Sequence, residues 1–127
     1  MSAMNEEEPG ILILEERISR AELKRLVDRY FGDMVKIVVD VQRRVAAAGG
    51  ELHADAEKVL LEKGSRQEDL WGANYYPGVG RDQCIEYTAL INIRPSQGNR
   101  SMEIVDADVR SVVQTVTFAL IGEGEEL

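Results

Sequence analysis

Arg94 and Arg100 bracket a turn, Pro95-Ser96-Gln97-Gly98-Asn99, and with Asn92, Asn99 and Glu103 they form the cluster in this chain best suited to hold an anion. A guanidinium presents a planar fork of donors that matches a phosphate or carboxylate, and successive turn amides can point at the same charge. The segment lacks the Lys-Ser/Thr ending of a nucleoside-triphosphate loop, and no helix starts directly after it to lend its dipole. The competing reading is a self-satisfied turn: Gly98 and Asn99 supply turn conformations with positive φ, while Arg94 and Arg100 pair with the chain's own carboxylates.

A second group is His53, Asp55 and Glu57, because imidazole plus carboxylate can bind a metal or transfer a proton near neutral pH. On a helix His53 and Glu57 share a face and are the candidate metal ligands, whereas Asp55 points elsewhere. His53 is the sole histidine, so the usual ligand set is incomplete and no metal site is expected. The plainer reading is the solvated first turn of a helix, where acidic residues complement the macrodipole. The one cysteine, Cys84, has no recognised nucleophile motif around it and reads as a passive thiol. Trp71 and Tyr75 read as core on one face of a strand, with Asn74 and Tyr76 on its opposite, solvated face.

The elements that must carry these groups follow from periodicity. Ile11-Leu12-Ile13-Leu14 is β-like, and Ser19 with Glu22 gives a capping-box signature for a helix over about 20–31, with Leu23, Leu26, Val27 and Tyr30 on one stripe. Met34 to Val41 reads as a strand, Val45 to Ala48 as a short one, and 51–63 as a helix ended by Lys63-Gly64. Leu70 to Tyr76 is a strand paired through a Pro77-Gly78-Val79-Gly80 turn with Ile85 to Ile93. That last strand puts Ile85, Tyr87, Ala89, Ile91 and Ile93 on the core face. With Pro95 to Arg100 as hairpin loop, Arg94 opposes Ser101, Asn92 opposes Glu103, Ile93 opposes Met102 and Ile91 opposes Ile104. Asp106 caps a final helix whose Val109, Val112, Val113, Val116 and Leu120 share a face, and Gly122 ends it.

The order β-α-β-(β)-α-β-β-β-α implies an α+β fold: a mainly antiparallel sheet with helices packed on it. Residues 1–10 are expected to be a disordered acidic tail, 11–121 one domain, and 122–127 a second acidic tail. The net charge is −8, but Glu6, Glu7, Glu8, Glu123, Glu125 and Glu126 sit at the two ends, so the body is close to balanced. No basic run beyond Arg43-Arg44 exists to hold nucleic acid, which is not expected as a partner. No apolar run approaches the ~20 residues that span a bilayer, and no signal-peptide pattern opens the chain, so a cytoplasmic location is expected.

Three segments in order, GGELHADAEKVLLEKGS at 49–65, QEDLWGANYYP at 67–77 and INIRPSQGNRSMEI at 91–104, resemble a family of small bacterial and archaeal proteins catalogued as a domain of unknown function. The resemblance covers roughly residues 34–121 and implies a self-contained prokaryotic domain. It implies no activity, cofactor or catalytic residue. The chain therefore reads as a small binding or interaction module, self-associating through its sheet or aromatic surface, with no cofactor. The alternative is an anion-binding protein or enzyme in which Arg94 and Arg100 hold a phosphate or carboxylate and His53 transfers a proton.

Overall fold

The structure, a computed structural model, describes residues 6–8 and 10–127. Strands β1 (Glu6–Glu8), β2 (Ile11–Leu14), β3 (Val35–Asp40), β4 (Val45–Gly49), β5 (Leu70–Tyr75) and β6 (Ile85–Glu86) form one sheet in the order β1-β2-β4-β3-β5-β6. Every neighbouring pair is antiparallel. Helices α1 (Arg20–Tyr30), α2 (His53–Glu62) and α3 (Ala107–Leu120) complete the α+β architecture that the periodicity implies. No helix among the described residues is long and apolar enough to cross a membrane.

Period-two alternation sorts the strand residues onto two buried faces. Leu12, Leu14, Val35, Ile37, Val39, Ala46, Ala48, Trp71, Ala73 and Tyr75 pack with Leu23, Leu26 and Val27 of α1 and Val113, Val116 and Leu120 of α3. Ile11, Val38, Ala47 and Leu70 pack on the other side with Ala56, Val59 and Leu60 of α2. The short alanine strand is thus an interior strand, and its small side chains let helices approach from both sides. The helix ends follow their sequence signals: Ser19 accepts from the Glu22 N–H and Asp106 from Asp108 and Val109. Glu22 does not reach back to close the capping box, because its carboxylate is held by Arg25 Nε at 2.9 Å. At the far end of β3 the buried Asp40 carboxylate accepts from Gln42 N, Arg43 N and Ser65 Oγ, tying the β3–β4 turn to the end of α2.

The structure differs from the expected long hairpin over 85–104. Only Ile85–Glu86 pairs as a strand with β5, and the chain then makes 3₁₀ turns at Leu90–Asn92 and Pro95–Gln97. Its two arms still run antiparallel, but Arg94 faces Asn99 rather than Ser101, and Glu103 faces Thr88 rather than Asn92. Ile93 and Met102 are therefore exposed instead of core, Leu90 and Val105 are exposed too, and Ile104 and Ala89 are buried. The cause is how closely this segment crosses β5. A Cβ on Gly72 would lie 2.6 Å from Ala89 Cβ, so the segment crosses directly over β5 at this point instead of lying alongside it.

Both ends also differ from free tails. Glu6–Glu8 joins the sheet edge beside β2, and residues 1–5 and 9 lie outside the described residues. At the other end Gly124 O accepts from Gly78 N and Gly80 N at 3.0 and 3.1 Å, so the acidic 122–127 segment folds back onto the β5–β6 turn. Gly124 is buried, at φ +80°, and a Cβ there would meet Gly80 O at 2.4 Å, so this closure needs glycine.

The Gly72 crossing gives a direct test. Gly72→Ala is expected to cost about 1–3 kcal/mol of stability through overpacking against Ala89, read as a lower urea midpoint at unchanged slope.

Candidate functional site

Beyond the two residues of β6, the outer edge of β5 has no strand partner among the described residues, and buried backbone groups left unpaired there would be costly. The segment after β6 supplies the partners from side chains. Asn92 is fully buried; its Oδ1 accepts from Gly72 N at 2.8 Å and its Nδ2 donates to Gly72 O at 2.9 Å, so one carboxamide replaces a ladder residue. Arg94 continues the edge. Nε donates to Ile91 O at 3.0 Å, NH1 to Gln67 O at 2.7 Å and Gln97 Oε1 at 3.2 Å, and NH2 to Leu70 O. The guanidinium also lies over the Trp71 ring, 4.4 Å from its centroid. Burial lowers the Arg94 pKa, and the Glu57 carboxylate works in the opposite direction.

Asn99 holds the turn itself. Its Nδ2 donates to Asn92 O, Ser101 O and Glu103 O, and its Oδ1 accepts from Val105 N. Glu103 pairs with Arg110 at 3.1 Å. Arg100 is exposed, and among the described residues no hydrogen bond or ion pair joins it to Arg94 or His53. All three nitrogens of Arg94 are thus given to protein oxygens, and of the cluster read from sequence Asn92, Arg94 and Asn99 form the joint that closes the β5 edge.

A different polar group assembles around His53, the first residue of α2. The expectation of a solvated first turn holds for Asp55, which is exposed, but His53 and Glu57 are each only 9% exposed because this flank of α2 lies on β5 and the Leu90–Asn92 turn. The Nε2–H donates to Ala73 O at 2.8 Å, which fixes the neutral tautomer and leaves Nδ1 as the lone-pair nitrogen. Beneath it the register sets Lys36 of β3, Asn74 of β5 and Glu86 of β6 side by side. Asn74, expected to be solvated, is buried in this row. Its Nδ2 donates to Glu86 Oε1 at 2.8 Å, and Tyr76 donates to the same oxygen at 3.3 Å.

Two buried oxygens here, Asn74 Oδ1 and Glu57 Oε2, have no hydrogen-bond partner of regular geometry among the described residues, although the Asn74 side chain interacts with His53. Burial lowers the His53 pKa, with Lys36 acting the same way, while the Ala73 bond, Asn74 and Glu86 oppose them. Tyr76 is raised by burial and then by Glu86. Next to this row a depression of about 460 Å³ is lined by Tyr76, Val79, Asp82, Gln83, Ile85 and Glu86. No group of three His, Cys, Asp or Glu among the described residues could hold a metal ion. The Cys84 thiol is buried, its pKa is raised by that burial, and it lies against Arg81 O at 3.5 Å.

Sequence reasoning singled out His53 and missed its companions. The available signal was in the alternation: Lys36, Asn74 and Glu86 are polar residues on strand faces that are otherwise apolar or small, and only the register shows that they are neighbours.

The family model described as "Protein of unknown function (DUF5674)" matches residues 12–120. This is the kind of family the three sequence segments resemble, and the match extends further toward the N-terminus. No curated protein and no solved structure matches the chain.

The joint at β5 separates structural from dispensable residues. Asn92→Ala is expected to cost about 2–4 kcal/mol, since the buried N–H and C=O of Gly72 both lose their partner, whereas Arg100→Ala should stay within about 0.5 kcal/mol of wild type. Urea unfolding of the two variants measures the contrast.

Proposed function

The chain belongs to this family of proteins of unknown function, and we propose that it is a small-ligand binding module whose site is the polar row of His53, Asn74 and Glu86 with the depression beside it. The observation that carries the reading is the buried Asn74, whose Oδ1 has no hydrogen-bond partner of regular geometry among the described residues although the side chain interacts with His53, and whose amide nitrogen is anchored to Glu86. An unpaired buried oxygen costs about 1–3 kcal/mol and is retained where a donor arrives to meet it.

The chemistry of the surroundings sets the ligand class. Glu86 and Asp82 contribute carboxylates to the depression, and Tyr76 and Gln83 polar side chains. Such an acceptor-rich wall suits a cationic N–H donor, a small organic amine, and the overall negative charge draws cations toward it. Lys36 stands at the opposite end of the row, with its ammonium 5.2 Å from the centre of the Phe31 ring. It repels a second positive charge, so the ligand's ammonium belongs at the Glu86 end. The reading takes the protein to be cytoplasmic, where the single buried thiol stays reduced.

His53 makes the site pH-sensitive. Its folded pKa is depressed below the ordinary 6.5, so the unfolded chain binds the proton more readily than the folded one. The stabilisation is complete above the unfolded value and is lost as pH falls below it toward the depressed folded value. Wild type should therefore lose more urea stability than His53→Gln on going from about pH 7.5 to about pH 5; equal losses would show that His53 is not the titrating group.

Ligand binding is tested by thermal shift and calorimetry with methylamine, putrescine and agmatine. At a concentration 100 times its Kd a ligand of this site should add about 2.7 kcal/mol. Glu86→Gln should weaken binding by at least about tenfold, the equivalent of 1.4 kcal/mol. No shift with any amine, or an equal shift in Glu86→Gln, overturns the reading.

A further inference from the structure

On the opposite face of β5 from Asn74, the geometry points to a second site: the cavity between the start of α1 and the C-terminal segment binds a small amphipathic carboxylate. The β2–α1 link carries Arg17 and Ile18 before the Ser19 cap, and Arg20 opens α1. Ile18 N donates to Leu120 O at 2.9 Å, which pins this link against the end of α3. The cavity so formed has a volume of about 240 Å³. Buried Ile18, Leu23 and Ile121 make its apolar wall, the Tyr75 phenol projects from β5, and Arg17 and Arg20 stand at the polar side.

Three donors meet there. Arg20 NH2 donates to Glu126 O at 2.6 Å. Arg17 NH2 lies 3.7 Å from Glu125 Oε2, with both side chains more than half exposed. Tyr75 is 1% exposed, and its hydroxyl accepts from Gly124 N at 2.9 Å, but its own proton has no acceptor among the described residues. A buried phenol with a free proton, flanked by two guanidiniums over an apolar wall, calls for an anion with a hydrocarbon body.

The segment after Gly124 now offers the arginines oxygens of the kind a ligand would bring, the Glu125 carboxylate and the Glu126 carbonyl. The Arg17–Glu125 contact is long and exposed, so a ligand carboxylate displaces Glu125 at small cost. The cavity is smaller than drug-sized pockets, typically about 300–1,000 Å³, which limits the body to one ring or a short alkyl chain. An aromatic ring fits the Ile18, Leu23 and Ile121 wall, and its carboxylate then faces Arg20 and the Tyr75 hydroxyl.

The test uses 4-fluorobenzoate with the full chain, followed by fluorine NMR and calorimetry, and 4-fluorobenzamide as the uncharged control. The expected result is one saturable site for the acid and at least tenfold weaker binding of the amide. Arg20→Gln, a surface change, should weaken the acid at least tenfold, and Tyr75→Phe several-fold. Glu125→Gln should tighten it by removing the internal competitor. The inference is overturned if the acid does not bind wild type, if acid and amide bind alike, or if Arg20→Gln binds like wild type. Should Tyr75→Phe fail to fold, Arg20→Gln and Glu125→Gln still decide between binding and no binding at this cavity. Neither outcome bears on the amine site, which uses other residues on the other face.

Discussion

The carboxamide of Asn92 on the backbone of Gly72 is the contact around which this architecture is arranged. β5 lies next to the sheet edge, all six of its residues are buried, and β6 pairs with only two of them. Something must satisfy the remaining backbone groups, because water does not reach them. Asn92 does so with one donor and one acceptor at 2.8–2.9 Å, on a segment that crosses β5 so closely that a Cβ at position 72 would lie 2.6 Å from Ala89 Cβ. The small residue at 72 and the amide at 92 are thus two halves of one device. A regular edge strand would have met the same need, but it would have left its own outer edge open for pairing with another chain.

That closure has consequences on both sides of the sheet. By holding β5 in an interior position it leaves successive residues facing opposite layers: Asn74 toward α2 and Tyr75 toward α1 and α3. Each layer then meets one imperfectly satisfied polar group from the same strand. Asn74 Oδ1 lacks a donor of regular geometry, and the Tyr75 hydroxyl proton lacks an acceptor. Unlike Asp40, Asn92 and Asn99, these two side chains leave bonding capacity unused, as do Glu57 and Thr117 among the described residues, and buried groups of that kind are where a ligand has most to gain.

Much of the fold could be read from the sequence because it rests on local signals. The stripe Leu23, Leu26, Val27 under a Ser19 cap, and the valine face behind Asp106, specify α1 and α3 through packing period and capping chemistry. Val35 to Asp40 and Leu70 to Tyr75 alternate as half-apolar strands do. The segment 85–104 misled for a physical reason. Its alternation is real, but a period-two pattern does not report what lies across the strand, and here the neighbour is the close-packed backbone of Gly72 rather than an open edge. Asn92 and Asn99 look like surface residues by type and are buried because their amides stand in for backbone partners. The row of Lys36, Asn74 and Glu86 was hidden for another reason: it exists only through strand register, and each member is ordinary alone.

The arginines show why residue type is a weak guide to an anion site and partner geometry a better one. Arg94 donates from all three nitrogens, mostly to main-chain carbonyls that are themselves fixed by the Gln67–Leu70 and Leu90–Asn92 turns, and its charge is spread over Trp71. Releasing it for a ligand would unpair carbonyls at the β5 edge, so its cost is structural. Arg17 and Arg20 instead make exposed contacts: Arg17 a long ion pair with Glu125 and a 3.5 Å bond to Phe118 O, and Arg20 a bond to the Glu126 carbonyl. A guanidinium is available to an outside anion when its present acceptors can find water on leaving. By that criterion Arg94 is committed to the fold, whereas the acceptors of Arg17 and Arg20 lie where water can replace them.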